Sequence, residues 1–187
     1  MKELNLKKTQ KLLTRIMEFE LAGVVRYTHY SLMVSGPNRI PIVQFMKQQA
    51  TESLLHASQA GEILTGLGGH PSLRVADLDE SYKHTMRDIL EESAAHEKRA
   101  LTIYKELLDT VTDRSVYIEE FARTQIAQEE MHGLELRKML RDIGVGTTPH
   151  PDAPKHLHGA HAGHDDDEHD DEDEKPRKKD KKKKKGD

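Results

Sequence analysis

Apolar side chains return at intervals of three and four along four long stretches of this chain, residues 5–35, 41–67, 79–109 and 116–143. That period belongs to helices buried along one face, and the alternation expected of strands is scarce. The first stripe carries Leu13, Ile16, Met17, Val24, Tyr27, Ser31 and Val34, and the second Phe45, Gln49, Gln59, Ile63 and Gly66. The third carries Leu90, Ala94, Leu101, Tyr104 and Leu108, and the fourth Ala122, Gln125, Leu136, Met139 and Ile143. "SGPN" at 35–38 separates the first two stretches through Gly and Pro, and "TVTDRS" at 110–115 separates the last two. The middle connection, "GLGGHPSLRVADLD", is far longer. The pattern predicts an all-α four-helix bundle, with a long crossover between helices two and three running from one end of the bundle to the other.

Each stripe is interrupted near its middle by an acid: Glu20, Glu52, Glu97 and Glu129. On helices two and four a histidine follows one turn later, His56 and His132. A lone buried carboxylate costs several kcal/mol unless it is paired or bound to a cation. Four at similar heights in one small core repel one another strongly, and divalent ions between them remove the problem. The spacing of Glu129 and His132 puts both on one face, a turn apart. In "QEEMH" (128–132) the expectation is therefore an inward Glu129, an outward Glu130 and an inward His132. Glu91, Glu92, Glu119 and Glu120 are expected on solvated faces.

The chain has no cysteine, which excludes disulfides, thiolate metal sites and iron–sulfur clusters. No apolar run is long enough to span a bilayer, and the charged start "MKELNLKKTQK" lacks a signal peptide's apolar centre, so a cytoplasmic location is expected. Composition divides the chain into a bundle domain, 1–146, and a tail, 147–187. The tail holds half of the twelve histidines (His150, His156, His158, His161, His164 and His169), then an acidic block, then lysines. Such a segment cannot bury a core and is expected to be disordered. Its histidines and acids suit loose metal collection, and a solubilising role fits equally well. The run Lys181, Lys182, Lys183, Lys184 and Lys185 offers weak contact with nucleic acid or another anionic surface, opposed by the neighbouring acids.

Four passages resemble the ferritin-like superfamily, and within it proteins similar to bacterioferritin: "FELAGVVRYTHY", "ESLLHASQAGEILTGLGGHPSL", "HEKRALTIYKELL" and "QEEMHGLELRKML". The resemblance spans roughly residues 4–143. It implies a di-iron centre, with manganese as the other ion such ligands accept, that oxidises Fe(II) with dioxygen or hydrogen peroxide for iron storage or detoxification. It implies metal ligation by Glu20, Glu52, His56, Glu97, Glu129 and His132, with Tyr27 hydrogen-bonding beside the centre, and a homo-oligomer. Two departures stand out. Where bacterioferritin has Glu three residues before the helix-two histidine, this chain has Ser53, and Glu52 is the nearest acid. Where bacterioferritin has a haem-ligating Met, this chain has Leu54, so no haem is expected. A count back from Glu129 leaves His96 and Glu97 as rivals on helix three; Glu97 shares the apolar stripe and is preferred. The alternative function is a non-catalytic metal buffer that uses the tail. A DNA-associated protector of the starvation-induced type fits less well, because its metal site lies between subunits and the ligands here are complete in one chain.

Overall fold

The computed structural model describes residues 2–143. The tail, with its histidines and lysines, and the domain boundary expected near 146 lie outside the described residues. Among those described there are four helices and no strand: α1 (Leu6–Met33), α2 (Arg39–Gly66), α3 (Met86–Val111) and α4 (Val116–Asp142). None is long and apolar enough to cross a membrane.

Side-chain caps begin three of them. Asn5 accepts from the Lys8 amide at 3.1 Å, and Ser115 from the Ile118 amide at 3.4 Å. At α3, Thr85 and Asp88 exchange side-chain-to-backbone bonds of 3.2 Å, a reciprocal cap. This cap corrects the expected start at Asp79, since α3 begins only at Met86. Residues 79–85 have the charge of a helical first turn, yet Tyr82 lies at φ 55°, outside any right-handed helix.

Hydrogen bonds trace the crossover. Gln10 donates to the Leu67 carbonyl, and the Ala76 amide donates to the Glu18 carbonyl. Arg74 reaches the Glu18 carboxylate, and farther on His84 meets His29. The connection therefore runs along α1 from its N-terminal to its C-terminal end, so α3 starts where α1 finishes. α1 pairs with α2, α3 pairs with α4, and α1 packs on α3 across the pairs.

Two apolar clusters fill the bundle. One gathers Leu13, Ile16, Ala60, Leu64, Leu107 and Val111; the other gathers Tyr27, Tyr30, Met46, Ile89, Leu90 and Leu136. On every helix the buried members of the two clusters leave a gap, at 18–26, 47–56, 91–99 and 123–135. The sequence-predicted acids and histidines all fall within those gaps, and the site is the polar layer between two dry ones.

The face of α2 departs from the expected stripe. Gln59 and Gly66 are exposed and Glu52 is half-buried, whereas Met46, Ser53, Ala60 and Leu64 are buried. Helix two is also apolar on its outer side, with Leu54 and Leu55 each about half exposed. Periodicity alone could not select the inner face there.

Candidate metal centre

Glu20, His56, Glu97, Glu129 and His132 are each at most 5% exposed. They form two triads in which one ligand atom from each residue lies within 4.8 Å of the others: Glu20–His56–Glu129 and Glu97–Glu129–His132. Glu129 belongs to both. Its Oε1 is 3.6 Å from His56 Nδ1, and its Oε2 is 3.9 Å from His132 Nδ1. Glu20 Oε1 is 3.6 Å from His56 Nδ1, and Glu97 Oε2 is 3.5 Å from His132 Nδ1. These separations are long for hydrogen bonds. They suit two ligand atoms on one ion, each about 2.0–2.2 Å from it. The buried His132 Nδ1 has no hydrogen-bond partner. A buried ring nitrogen left open toward two carboxylates fits a metal ion.

Two tyrosines orient the acids. Tyr27 donates to Glu97 Oε1, leaving Oε2 toward His132. Tyr104 donates to Glu20 Oε1 at 2.6 Å. Tyr104 was legible only as a core residue, because its hydroxyl's partner lies 84 positions away in sequence. Glu52 stands apart from both triads. Its Oε2 is 3.0 Å from His132 Nε2, the ring edge opposite Nδ1, and Gln48 and Gln49 donate to its carboxylate.

Burial dominates the electrostatics. It pushes the Glu129 carboxyl up to about 8, with neighbouring Glu97 adding to the rise. Glu20 is raised for the same reason, its bond with His56 opposing. Burial alone lowers an imidazole, but Glu129 and Glu97 overcome it and raise His132 to about 10. Glu20 likewise raises His56 against the effect of burial. Without a cation the layer therefore holds protons at neutral pH.

His96, the rival of Glu97, is buried too, but it joins neither triad. Its ring stacks on Phe19 at 4.4 Å and meets Tyr27 edge-on at 5.6 Å. Burial, with Arg26 and Arg99 nearby, holds it down at about 3, so it is a neutral packing group. Gly23 makes room for it: a Cβ there would lie 3.0 Å from His96 Nε2 and 2.7 Å from Ser53 Oγ. The space left among the polar side chains is about 10 Å³, enough for an ion or a water and too small for an organic substrate.

No curated protein matches the chain by sequence. Among solved structures, the bacterioferritin-related dodecameric thioferritin of Bacteroides fragilis superposes with TM-score 0.71 at 21% identity, covering 75% of this chain and 89% of that one. Desulfovibrio desulfuricans bacterioferritin, described with a diiron site, gives 0.68 at 18% identity over 74% and 81% of the two chains. Dps from Thermosynechococcus elongatus gives 0.68 at 16% identity over 75% and 92%. At such identities the likeness establishes the fold. The ferritin-like domain family model matches residues 10–144, well over half of the 187, and the chain belongs to that family.

Proposed function

We propose that the polar layer binds two Fe(II) ions as substrate and oxidises them to Fe(III) with dioxygen or hydrogen peroxide, for iron storage or detoxification. The position of Glu129 carries the reading, with one carboxylate oxygen toward each imidazole. A carboxylate so placed serves two ions at once, and each ion then has one further acid and one histidine. When bound, the ions supply the electrons that reduce the oxidant. Manganese suits the same oxygen and imidazole donors.

The chain's own residues prepare the site. Tyr27 holds one oxygen of Glu97, so the other faces the His132 ring, and Tyr104 holds the Glu20 oxygen that lies nearest His56. Glu52 faces the far edge of His132 and acts there as a positioning group, which keeps Nδ1 free for the ion. The apolar clusters above and below limit water, which strengthens attraction between carboxylates and cations. Leu54 offers no haem ligand, so the reading includes no haem. Exposed Leu32, Leu54, Leu55, Met131 and Leu134 offer apolar surface for a homo-oligomer.

The test is an anaerobic Fe(II) titration followed by air, with the near-ultraviolet absorbance of Fe(III) as readout. Saturation near two ions per chain and rapid oxidation are expected, and both are lost in Glu129→Ala and His132→Ala. Full oxidation by both variants would refute the assignment. Many loosely held ions without rapid oxidation would make the protein a metal buffer instead.

A further inference from the structure

A second group of ligating side chains lies outside the polar layer and shares no residue with it. His29, on the flank of α1, faces His84 near the end of the crossover, their Nε2 atoms 3.4 Å apart. Glu80, also on the crossover, brings a carboxylate oxygen within 4.8 Å of ligand atoms of both. The three border a cleft of about 240 Å³ between α1 and the crossover. Tyr82, with φ 55°, sits midway between Glu80 and His84, both of which line the cleft. Nothing periodic in the sequence announces this group, because His29 and His84 are 55 positions apart and the three residues lie on no common stripe.

The nitrogen separation is informative. Two imidazole nitrogens on a tetrahedral ion, each at about 2.0–2.1 Å, lie roughly 3.3–3.4 Å apart. A right-angled octahedral pair lies at about 2.9 Å with the same bond lengths. Hydrogen bonds from ring N–H groups mostly fall within about 2.7–3.2 Å. The observed 3.4 Å is long for a hydrogen bond and matches the tetrahedral spacing. The rings are tilted by 57° with centroids 5.5 Å apart, so they meet through their Nε2 edges rather than by stacking. The cation already in the cleft, Arg26, is occupied: it donates to the Tyr30 hydroxyl at 2.9 Å and lies 3.9 Å from Glu92.

We propose that His29, His84 and Glu80 form a tetrahedral site for a divalent ion of the zinc type, with its fourth position open to solvent. Two nitrogens and one oxygen are a ligand set that zinc accepts. The ion joins α1 to the end of the crossover, next to the Thr85 cap where α3 begins. It is a clamp on the long connection, separate from iron oxidation in the inner layer.

The test uses the full chain with Co(II) as a spectroscopic probe for zinc. A tetrahedral cobalt site gives intense visible absorption, displaced by added Zn(II), and an octahedral one gives weak bands. Wild type should show the intense bands, Glu129→Ala should keep them, and His29→Ala and His84→Ala should each lose them at unchanged helicity by circular dichroism. A second readout is trypsin cleavage after Arg74 and Lys83, both exposed on the crossover. Zn(II) should slow cleavage at Lys83 at least severalfold in wild type and leave it unchanged in the two histidine variants. Intense bands that persist in both variants would place the ion elsewhere, on the tail histidines for instance, and would overturn the proposal. Absence of tetrahedral bands in wild type would do the same.

Discussion

Loading the polar layer should expel protons, and the number follows from the site. In the metal-free protein Glu129 is raised to about 8 and His132 to about 10. The two face each other, so the protons belong to the pair rather than to either residue. At pH 7.5 Glu129 holds roughly three-quarters of a proton and His132 nearly a whole one. Ions that bind their oxygen and Nδ1 atoms displace both, so about 1.8 protons leave as the site fills. Glu20 and His56 are raised as well, so this is a lower bound.

The sign is definite. Protons compete with the ions below these values, so affinity falls as pH falls. The same two values make the decline from pH 8 to pH 7 roughly fiftyfold. Anaerobic calorimetry of Fe(II) binding in two buffers of different ionisation enthalpy measures the release directly. At pH 7.5 an ordinary imidazole with a pKa of about 6.5 holds only about a tenth of a proton, so the tail adds little. Release of less than half a proton over the first two ions would mean that the ions do not bind at Glu129 and His132.

The same shifts predict how the metal-free fold responds to pH. The carboxyl rises from 4.5 to about 8 and the imidazole from 6.5 to about 10 on folding, so their stabilisation is present below the unfolded values and disappears as pH climbs through the folded ones. Tm of the metal-free chain should therefore drop between pH 6 and pH 9, while saturating metal should flatten the trend. Replacing Glu52 with Ala should weaken metal binding about 10–100-fold with little change in helicity, because His132 loses the group facing Nε2; an unchanged affinity would remove Glu52 from any role at the site. Deleting the chain from Thr147 onward should leave the oxidation rate intact and slow loading when iron is scarce, and equal loading rates would dismiss the tail as a metal collector.

Much of this was readable because the fold makes two demands on one sequence. Helices in a bundle need an apolar stripe, and Glu20, Glu97, Glu129, His56 and His132 interrupt it without leaving it. An acid that keeps the stripe's phase announces a polar layer in a dry core. The signal weakened where phase is poorly defined. On α2 the apolar Leu54 and Leu55 face outward, so Glu52 and Ser53 could not be separated by pattern, and the structure turns Ser53 inward. Contacts between segments distant in sequence gave no periodic signal at all. The bond from Tyr104 to Glu20, the stacking of His96 on Phe19 and the approach of His84 to His29 all depend on how helices and crossover are brought together.

Ser53 also bears on what the centre does with iron. The two triads supply three carboxylates, Glu20, Glu97 and Glu129, and Glu52 stands one group farther out beyond the His132 ring. A fourth inward acid at position 53 would raise the count, but the hydroxyl of Ser53 carries no charge there. Two Fe(II) ions bring four positive charges, close to what these four acids offset; two Fe(III) ions bring six. In a site this dry an unmatched charge is costly. On the proposed reading the layer favours the ions it takes in over the ions it produces, so Fe(III) should leave, which is how a substrate behaves rather than a resident cofactor. Gel filtration after air oxidation, followed by iron analysis of the chain with its tail removed, decides the matter. Recovery of well under two irons per chain is expected, and retention of both would show that other anions complete the charge and that the iron stays.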